Sequence, residues 1–207
     1  MDDYERVKIT NRDEWRQWLV ENHSSRSQSI WLVTHKKHCG PTLYVPYSDI
    51  VEEALCFGWI DSVPRKLDND RTMVLVSPRR KGSVWSKCNK DRVSSLIRKR
   101  LMAPSGLATV KAAKQDGSWA FLDDVEAMIV PPDLETQFRR FPRAKTAFEE
   151  STTDSAKKQI LQNLKLAKQA STRARRIQKA IDDLLSGSKS PPKAKMSPTK
   201  RISLESL

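Results

Sequence analysis

The sequence predicts an α+β protein, with a small, mostly antiparallel sheet covered by helices and a helical region after it. Three observations support this fold class. Residues 30–36 and 59–77 are rich in residues that favour strands, and turn residues interrupt them. The apolar residues between these segments recur at helical spacing. The chain beyond Pro131 and Pro132 shows a helical pattern only.

Local signals predict the first elements of the chain. Asn11, followed three residues later by Glu14, is typical of a helix start, and this first helix would bury Trp15. Residues 30–36 are predicted to form a strand, and residues 42–45 a second short strand.

The next elements are predicted from capping and turn residues. Ser48 is predicted to cap a second helix, and Gly58 ends it in the left-handed conformation that glycine adopts at low cost. Residues 59–63 and 72–77 are then predicted to pair as antiparallel strands around a turn at 67–70.

Two further helices complete the predicted first domain. Ser86 or Asn89 would cap the third helix. Its inward-facing residues would be Val93, Leu96, Ile97 and Leu101. Pro104 would open the fourth helix, because a proline in the first helical position loses no hydrogen bond.

The predicted organisation has three parts. They are an α+β N-terminal domain at 1–128, a helical C-terminal domain at 129–186 and a disordered basic tail at 187–207. Helices of the second part are predicted to begin near Asp133, Arg143, Asp154 and Thr172. The tail is rich in Ser, Pro and Lys and has too few apolar residues to form a core.

The formal net charge of +13 is distributed unevenly along the 207 residues. The net charge is −3 for residues 1–61, +9 for 62–105, −2 for 106–150 and +9 for 151–207. This asymmetry favours an anionic partner, which could be a small molecule, nucleic acid, an acidic membrane face or an acidic protein. A solvated basic face that only maintains solubility is the alternative interpretation.

Composition also indicates the compartment. No run of ~18 apolar residues is present, and the polar N-terminus has no secretory-type segment, so we expect a cytoplasmic protein. Cys39, Cys56 and Cys88 lack paired metal-site spacing and fit free thiols. His35 and His38 have no third ligand close in the sequence. We therefore predict no metal site and no cofactor.

The segment 54–106 contains an unusual density of Trp, Arg and small polar residues. The arginine side chain can form bidentate hydrogen bonds to a carboxylate or phosphate, and it can stack on tryptophan. The candidate ligand-binding residues are Trp59, Asp61, Arg65, Arg79, Arg80, Ser83, Trp85, Ser86, Asn89 and Arg92. The alternative is a structural ion-pair network in a Trp-rich core, in which Asp61 pairs with Arg65 or Arg79.

Several multi-residue blocks occur in a characteristic order. They are EEALCFGWIDS at 52–62, the step from Asp68 to Arg71, PRRKGSVWSKCNKDRV at 78–93, MAPSGLATVKAAKQDGSW at 102–119 and AKQASTRARRI at 167–177. Together they resemble the YdeI/OmpD-associated family of bacteriocin-protection proteins over about residues 15–185. One position departs from this pattern, because Arg100 stands where the family usually turns with glycine.

This resemblance implies a stress-response role in tolerance of antimicrobial peptides or bacteriocins, with an outer-membrane porin as associate. It implies no reaction. Simple sequestration of cationic peptides is disfavoured, because a chain of net charge +13 repels polycations within a Debye length of ~8–10 Å. The leading hypothesis is a non-enzymatic cytosolic stress-tolerance protein that binds an anionic ligand or partner through residues 59–92.

Two alternatives stay open. The first is a nucleic-acid-binding accessory protein in which Arg173, Arg175 and Arg176 contact phosphates, weakly and without sequence preference. An exposed, solvated helix face would explain the same three arginines. The second is an enzyme with a carboxylate–arginine site at Asp61. The sequence has no Gly-rich phosphate loop, nucleophile elbow or metal cluster, so we assign no catalytic residue.

Overall fold

The computed structural model describes residues 4–187, which form two compact units. The first comprises residues 4–120, and the second residues 121–187. The division falls after Ala120, ahead of the boundary predicted at 128. The predicted tail lies outside the described residues except for Gly187.

The first unit holds four strands and four α-helices within its described residues. In chain order they are β1 (Arg6–Lys8), α1 (Arg12–Asn22), β2 (Ile30–His35), α2 (Tyr47–Cys56), β3 (Trp59–Lys66), β4 (Arg71–Pro78), α3 (Lys87–Arg98) and α4 (Pro104–Gln115). A short 3-10 turn, Lys37–Cys39, follows β2.

The four strands form one sheet in the order β1-β2-β4-β3. β4 pairs antiparallel with both β2 and β3, whereas β1 pairs parallel with β2. The α+β fold with a mostly antiparallel sheet is therefore confirmed, although the sequence did not predict β1. The strand predicted at 42–45 is wrong. Tyr44 forms only an isolated bridge to His35, because Pro41 and Pro46 leave too short a segment for a ladder.

Several predicted helix signals are confirmed. Asn11 caps α1 by accepting from the Glu14 amide, and Ser86 caps α3 by accepting from Asn89. Gly58 has φ +79°, and a Cβ there would lie 2.5 Å from Thr109 Oγ1, so glycine is required for both reasons. Arg100 has φ +58°, so this position makes the left-handed turn without glycine.

Two predicted details are wrong. Ser48 does not cap α2, because the helix begins one residue earlier at Tyr47, directly after Pro46. Ile97 does not face the core and is 44% exposed. α3 buries Val93 and Leu96 instead, since these two residues lie on the face that packs into the main core.

The two faces of the sheet differ in depth of burial. The main core lies on the helix-covered face and contains fully buried Trp15, Trp59 and Trp85. The opposite face carries a small cluster around Trp31 and Met73. The helix-covered face therefore holds most of the buried core of this unit.

The second unit is helical throughout its described residues, as predicted. Its elements are α5 (Asp123–Glu126), α6 (Pro132–Arg140), α7 (Pro142–Thr146), a π-helical turn (Ala147–Ser151), α8 (Asp154–Lys165) and α9 (Ala170–Leu185). Its buried side chains include Leu134, Phe138, Leu164 and Ile181. Across residues 4–187, no helix combines the length and apolar character needed to cross a membrane.

Candidate functional site: a buried arginine centre beside a cleft

Asp61 lies on β3 and is half-buried. The hydroxyl of Tyr47, in the first turn of α2, donates a hydrogen bond to its Oδ2. Burial raises the pKa of Asp61, while the Tyr47 hydrogen bond and the charges of Arg92 and Arg79 act in the opposite direction. Burial, reinforced by the charge of Asp61, also raises the pKa of Tyr47. The carboxyl group is thus held in a poorly solvated setting beside positive charge.

Arg79 follows β4 directly, and its amide donates to the Gly58 carbonyl at 2.9 Å. Its guanidinium carbon lies 3.7 Å from the ring centroid of Trp85. Nη1 donates to the carbonyl oxygens of Ser83 at 3.3 Å and Val84 at 3.2 Å. Burial lowers the pKa of Arg79 to about 10, against the opposing effect of Asp61. Arg79 and Trp85 are both among the candidate residues, and the structure brings them into contact.

The rest of the Arg79 guanidinium has no protein acceptor. Within the described part of the chain, its buried Nε and Nη2 have no hydrogen-bond partner, and neither does Nε1 of buried Trp85. Nε and Nη2 occupy one edge of the guanidinium, where their N–H groups point in parallel. This edge matches the two oxygens of a carboxylate or phosphate. We call the residues Tyr47, Asp61, Arg79, Trp85 and Arg92 the arginine centre.

The start of α3 supplies the second cation of the arginine centre. Arg92 Nη1 donates to Asn89 Oδ1 at 3.0 Å, which orients the side chain one turn from the Ser86 cap. The charge of Arg92 lowers the pKa of both Asp61 and Tyr47, so this guanidinium lies near both groups. Arg92, in the second turn of α3, thus adds positive charge to the surroundings of Asp61.

The other predicted site residues lie elsewhere or have structural roles. Trp59 is fully buried and packs edge-to-face on Trp18, with ring centroids 5.6 Å apart. Arg80 is exposed, and Ser83 is half-buried. Of the ten predicted residues, the structure brings together Asp61, Arg79, Trp85 and Arg92, with Ser86 and Asn89 supporting Arg92.

Of the two partners that the ion-pair alternative considers for Asp61, Arg65 is ruled out, whereas the charge of Arg79 does act on Asp61. Asp61 lies opposite Val76 on β4 and Arg65 opposite Met73, with a β-bulge between Asp61 and Pro64. The extra residue in the bulge changes which face the following side chains occupy. Arg65 therefore stacks on Trp31 of the other face, with its guanidinium carbon 4.7 Å from the ring centroid.

A cleft of about 640 Å³ adjoins the arginine centre. Its lining residues are Thr34, His35, Lys36, Lys37, His38, Tyr44, Val45, Tyr47, Ile50, Pro64, Thr72, Met73 and Val74. Its volume is in the range of small-molecule sites. Tyr47 joins the two features, because it lines the cleft and also donates to Asp61. The sequence contains no local signal for this cleft, because its walls come from α2, the sheet and the 36–45 loop.

Three possible metal ligands meet beside the cleft. His38 has no third ligand close to it in the sequence, but the structure brings the side chains of Cys39 and Asp70 near it. Possible ligand atoms of these three residues lie within 4.8 Å of one another. Asp70 is distant in sequence and is supplied by the turn between β3 and β4, so spacing alone gave no signal.

The predicted phosphate-contacting arginines of the second unit are mostly used within the fold. Arg173 Nε and Nη2 donate to the two oxygens of Asp133, at 2.5 and 2.9 Å. Arg176 donates to the Asn163 carbonyl. Arg175 is exposed. An interface using all three arginines together would therefore have to break internal contacts.

These features define an α+β protein with a candidate anion site in its sheet unit. Its helical unit contains an internal ion pair between Arg173 and Asp133. Residues 127–187 match the family model described as Bacteriocin-protection, YdeI or OmpD-Associated. The likeness to that family is therefore limited to the C-terminal region of the chain. Residues 7–109 match a different model, a domain of unknown function called DUF8412.

The family match is narrower than the resemblance in the sequence suggested. The blocks at 52–62 and 78–93, which carry every residue of the arginine centre except Tyr47, fall within the DUF8412 match. No curated protein and no solved structure shows significant similarity to the chain. Only the residues of the arginine centre themselves therefore indicate its chemistry.

Proposed function

We propose that this protein is a non-enzymatic, cytosolic binding protein for a small anion, acting in the bacteriocin protection that is named by the family model matching its C-terminal region. The observation that carries the proposal is the Arg79 edge, whose Nε and Nη2 are buried without a partner in the described chain. A buried donor left unsatisfied costs stability, and more so on a charged group. An anion with two adjacent oxygens would satisfy both donors.

The surroundings of Arg79 support an anion rather than a neutral ligand. Trp85 covers one face of its guanidinium, and Arg92 adds positive charge to the same centre. The pKa of Asp61 is raised, mainly by burial, so a proton on this carboxyl group would relieve repulsion of an incoming anion. We therefore expect anion affinity to increase as pH falls through the pKa of Asp61.

The cleft supports a ligand with an apolar body. Tyr44, Val45, Ile50, Pro64 and Met73 supply apolar wall, and Tyr47 leads from this wall to Asp61. Ligand sites commonly combine apolar walls with a few polar anchoring groups. An anion in this site would act through a change in cell physiology rather than by capture of cationic peptides, which the net charge of +13 repels.

The test observes the Arg79 edge directly. Benzoate and inorganic phosphate are titrated into ¹⁵N-labelled protein while the arginine Nε–H resonances are followed, with benzyl alcohol as the neutral probe. The Arg79 resonance is identified by its loss in Arg79→Lys. We expect this resonance to shift with benzoate. We also expect Arg79→Lys to weaken benzoate binding by roughly tenfold or more, because lysine cannot form the bidentate pair of hydrogen bonds.

Arg80→Lys is the matched control, because Arg80 is the exposed neighbour in the same loop. It should leave benzoate affinity unchanged. A stronger shift with benzoate than with phosphate would indicate that the cleft contributes. The proposal fails if neither anion moves the Arg79 resonance at ~10 mM, which corresponds to binding too weak for a specific site. Equal weakening by the Arg79 and Arg80 variants would also overturn it.

A further inference from the structure

A second cluster of chemically active side chains lies at the rim of the cleft, outside the arginine centre. His38 and Cys39 come from the 3-10 turn after β2, and Asp70 comes from the turn between β3 and β4. His38 is exposed and also lines the cleft. The cluster therefore reaches the candidate ligand cavity through His38.

The two turns that carry these residues are joined by hydrogen bonds from the backbone and the side chain of Lys36. The Lys36 amide donates to the Asp70 carbonyl at 2.8 Å. Lys36 Nζ donates to the carbonyls of Asp68 at 2.8 Å and Asn69 at 2.9 Å. These bonds fix the position of Asp70 relative to the 3-10 turn, so the three side chains are held together by the fold.

The geometry resembles part of a tetrahedral metal site. His38 Nε2 and Asp70 Oδ1 are 3.2 Å apart, and the ligand atoms of all three residues lie within 4.8 Å of one another. Tetrahedral zinc with bonds of about 2.0–2.3 Å separates its ligand atoms by roughly 3.3–3.8 Å. Small side-chain rotations would thus bring all three atoms to bonding distance.

We propose that His38, Cys39 and Asp70 bind a divalent zinc-type cation. A thiolate combined with an imidazole favours Zn²⁺ over Mg²⁺ or Ca²⁺, which prefer oxygen ligands. Three protein ligands leave a fourth position open to water or an exogenous ligand. His35 offers a further nitrogen on the same cleft wall, because its buried Nδ1 has no hydrogen-bond partner in the described chain.

Binding requires the Cys39 thiol to lose its proton. In the structure Cys39 Sγ donates to the Asp70 carbonyl at 3.4 Å. The zinc–sulfur bond replaces this S–H bond, and the proton passes to the buffer. Affinity should therefore decrease as pH falls. This metal site stands apart from the anion proposal, because it uses none of the residues of the arginine centre.

The experiment uses the full chain and metal ions alone. Co²⁺ is added first, because a thiolate ligand produces a charge-transfer absorption that carboxylates and imidazoles lack. Zn²⁺ affinity is then measured by competition with a chromogenic chelator. We expect one Co²⁺ per chain with the thiolate band, loss of that band in Cys39→Ser, and roughly tenfold or greater loss of Zn²⁺ affinity in Asp70→Asn and His38→Gln.

Cys88→Ser is the matched control, since Cys88 is a free thiol like Cys39 but is exposed and lies on α3. It should keep both the absorption band and the Zn²⁺ affinity. Circular dichroism of each variant checks that the fold is retained. The proposal is overturned if the wild-type chain binds Zn²⁺ more weakly than ~0.1 mM. It is equally overturned if Cys88→Ser, and not Cys39→Ser, removes the band.

Discussion

Two arginines, Arg173 in the helical unit and Arg79 in the sheet unit, differ in whether their Nε and Nη2 atoms have hydrogen-bond partners. In the helical unit, Arg173 directs Nε and Nη2 to both oxygens of Asp133. In the sheet unit, the same two atoms of Arg79 are buried without a partner in the described chain. The pKa of Arg173 is raised, chiefly by its hydrogen bond to Asp133, whereas burial lowers that of Arg79 to about 10.

The pKa values of the carboxyl groups near these arginines also differ between the two units. The Arg173 hydrogen bond lowers the pKa of Asp133, whereas burial raises the pKa of Asp61. The helical unit has thus completed a structural ion pair. The sheet unit holds an uncompensated donor edge beside a carboxyl group that resists ionisation. Identical residue types therefore serve stability in one unit and are available for binding in the other.

The largest expected effect is on the completed pair. Arg173→Met removes two hydrogen bonds to Asp133 and one from Nη1 to the Leu164 carbonyl at 2.8 Å. We expect the helical unit to lose about 1–2 kcal/mol of stability, because the pair is partly solvated. Hydrogen exchange by mass spectrometry should show faster exchange in peptides from α6 and α9. Arg175→Met, at an exposed neighbouring position, should change exchange little; equal effects would remove the distinction between paired and unpaired arginines.

A smaller effect is expected for the unpartnered arginine. Arg79→Met keeps an unbranched side chain against Trp85 and removes a buried charge, while the Ser83 and Val84 carbonyls lose a donor. These terms oppose each other, so the sheet unit should change by less than about 1 kcal/mol. Denaturant unfolding followed by tryptophan fluorescence measures this, because all six Trp residues lie between positions 15 and 119. A loss above about 3 kcal/mol would show that Arg79 is a structural residue.

The smallest effects concern pH, and here the two carboxylates should differ in sign. The lowered pKa of Asp133 means that its stabilisation is present above the unfolded value of about 3.9 and is lost as pH falls through the folded value. The raised pKa of Asp61 means that its ionised form opposes folding near neutral pH, and this cost fades as pH falls. Each contribution should be below about 1 kcal/mol.

The measurement is urea unfolding of Asp61→Asn and Asp133→Asn between pH 7 and pH 3. At pH 7, Asp61→Asn should stabilise the sheet unit and Asp133→Asn should destabilise the helical unit, and both differences should shrink toward pH 3. Fluorescence reports the first variant, and hydrogen exchange the second. The same sign for both variants at pH 7 would contradict the contrast between the two units.

Local signals in the sequence predicted most elements of the fold. Asn11, Ser86 and Pro104 mark helix starts because capping depends on residues only a few positions apart. Such signals fail where two nearby residues could each mark the start of a helix. Pro46, and not Ser48, directly precedes α2. Arg79 and Trp85, both among the candidate residues, meet in the structure because a short loop joins them.

The sequence by itself therefore determined the α+β class, the helical second half, the basic charge and the Trp- and Arg-rich segment. Tertiary structure alone decided which of these side chains meet. A bulge turned Arg65 away from Asp61, α2 brought Tyr47 to it, and the β3–β4 turn brought Asp70 to His38. The physical reason is that such contacts depend on strand register and helix packing across long separations, which local propensity and spacing do not specify.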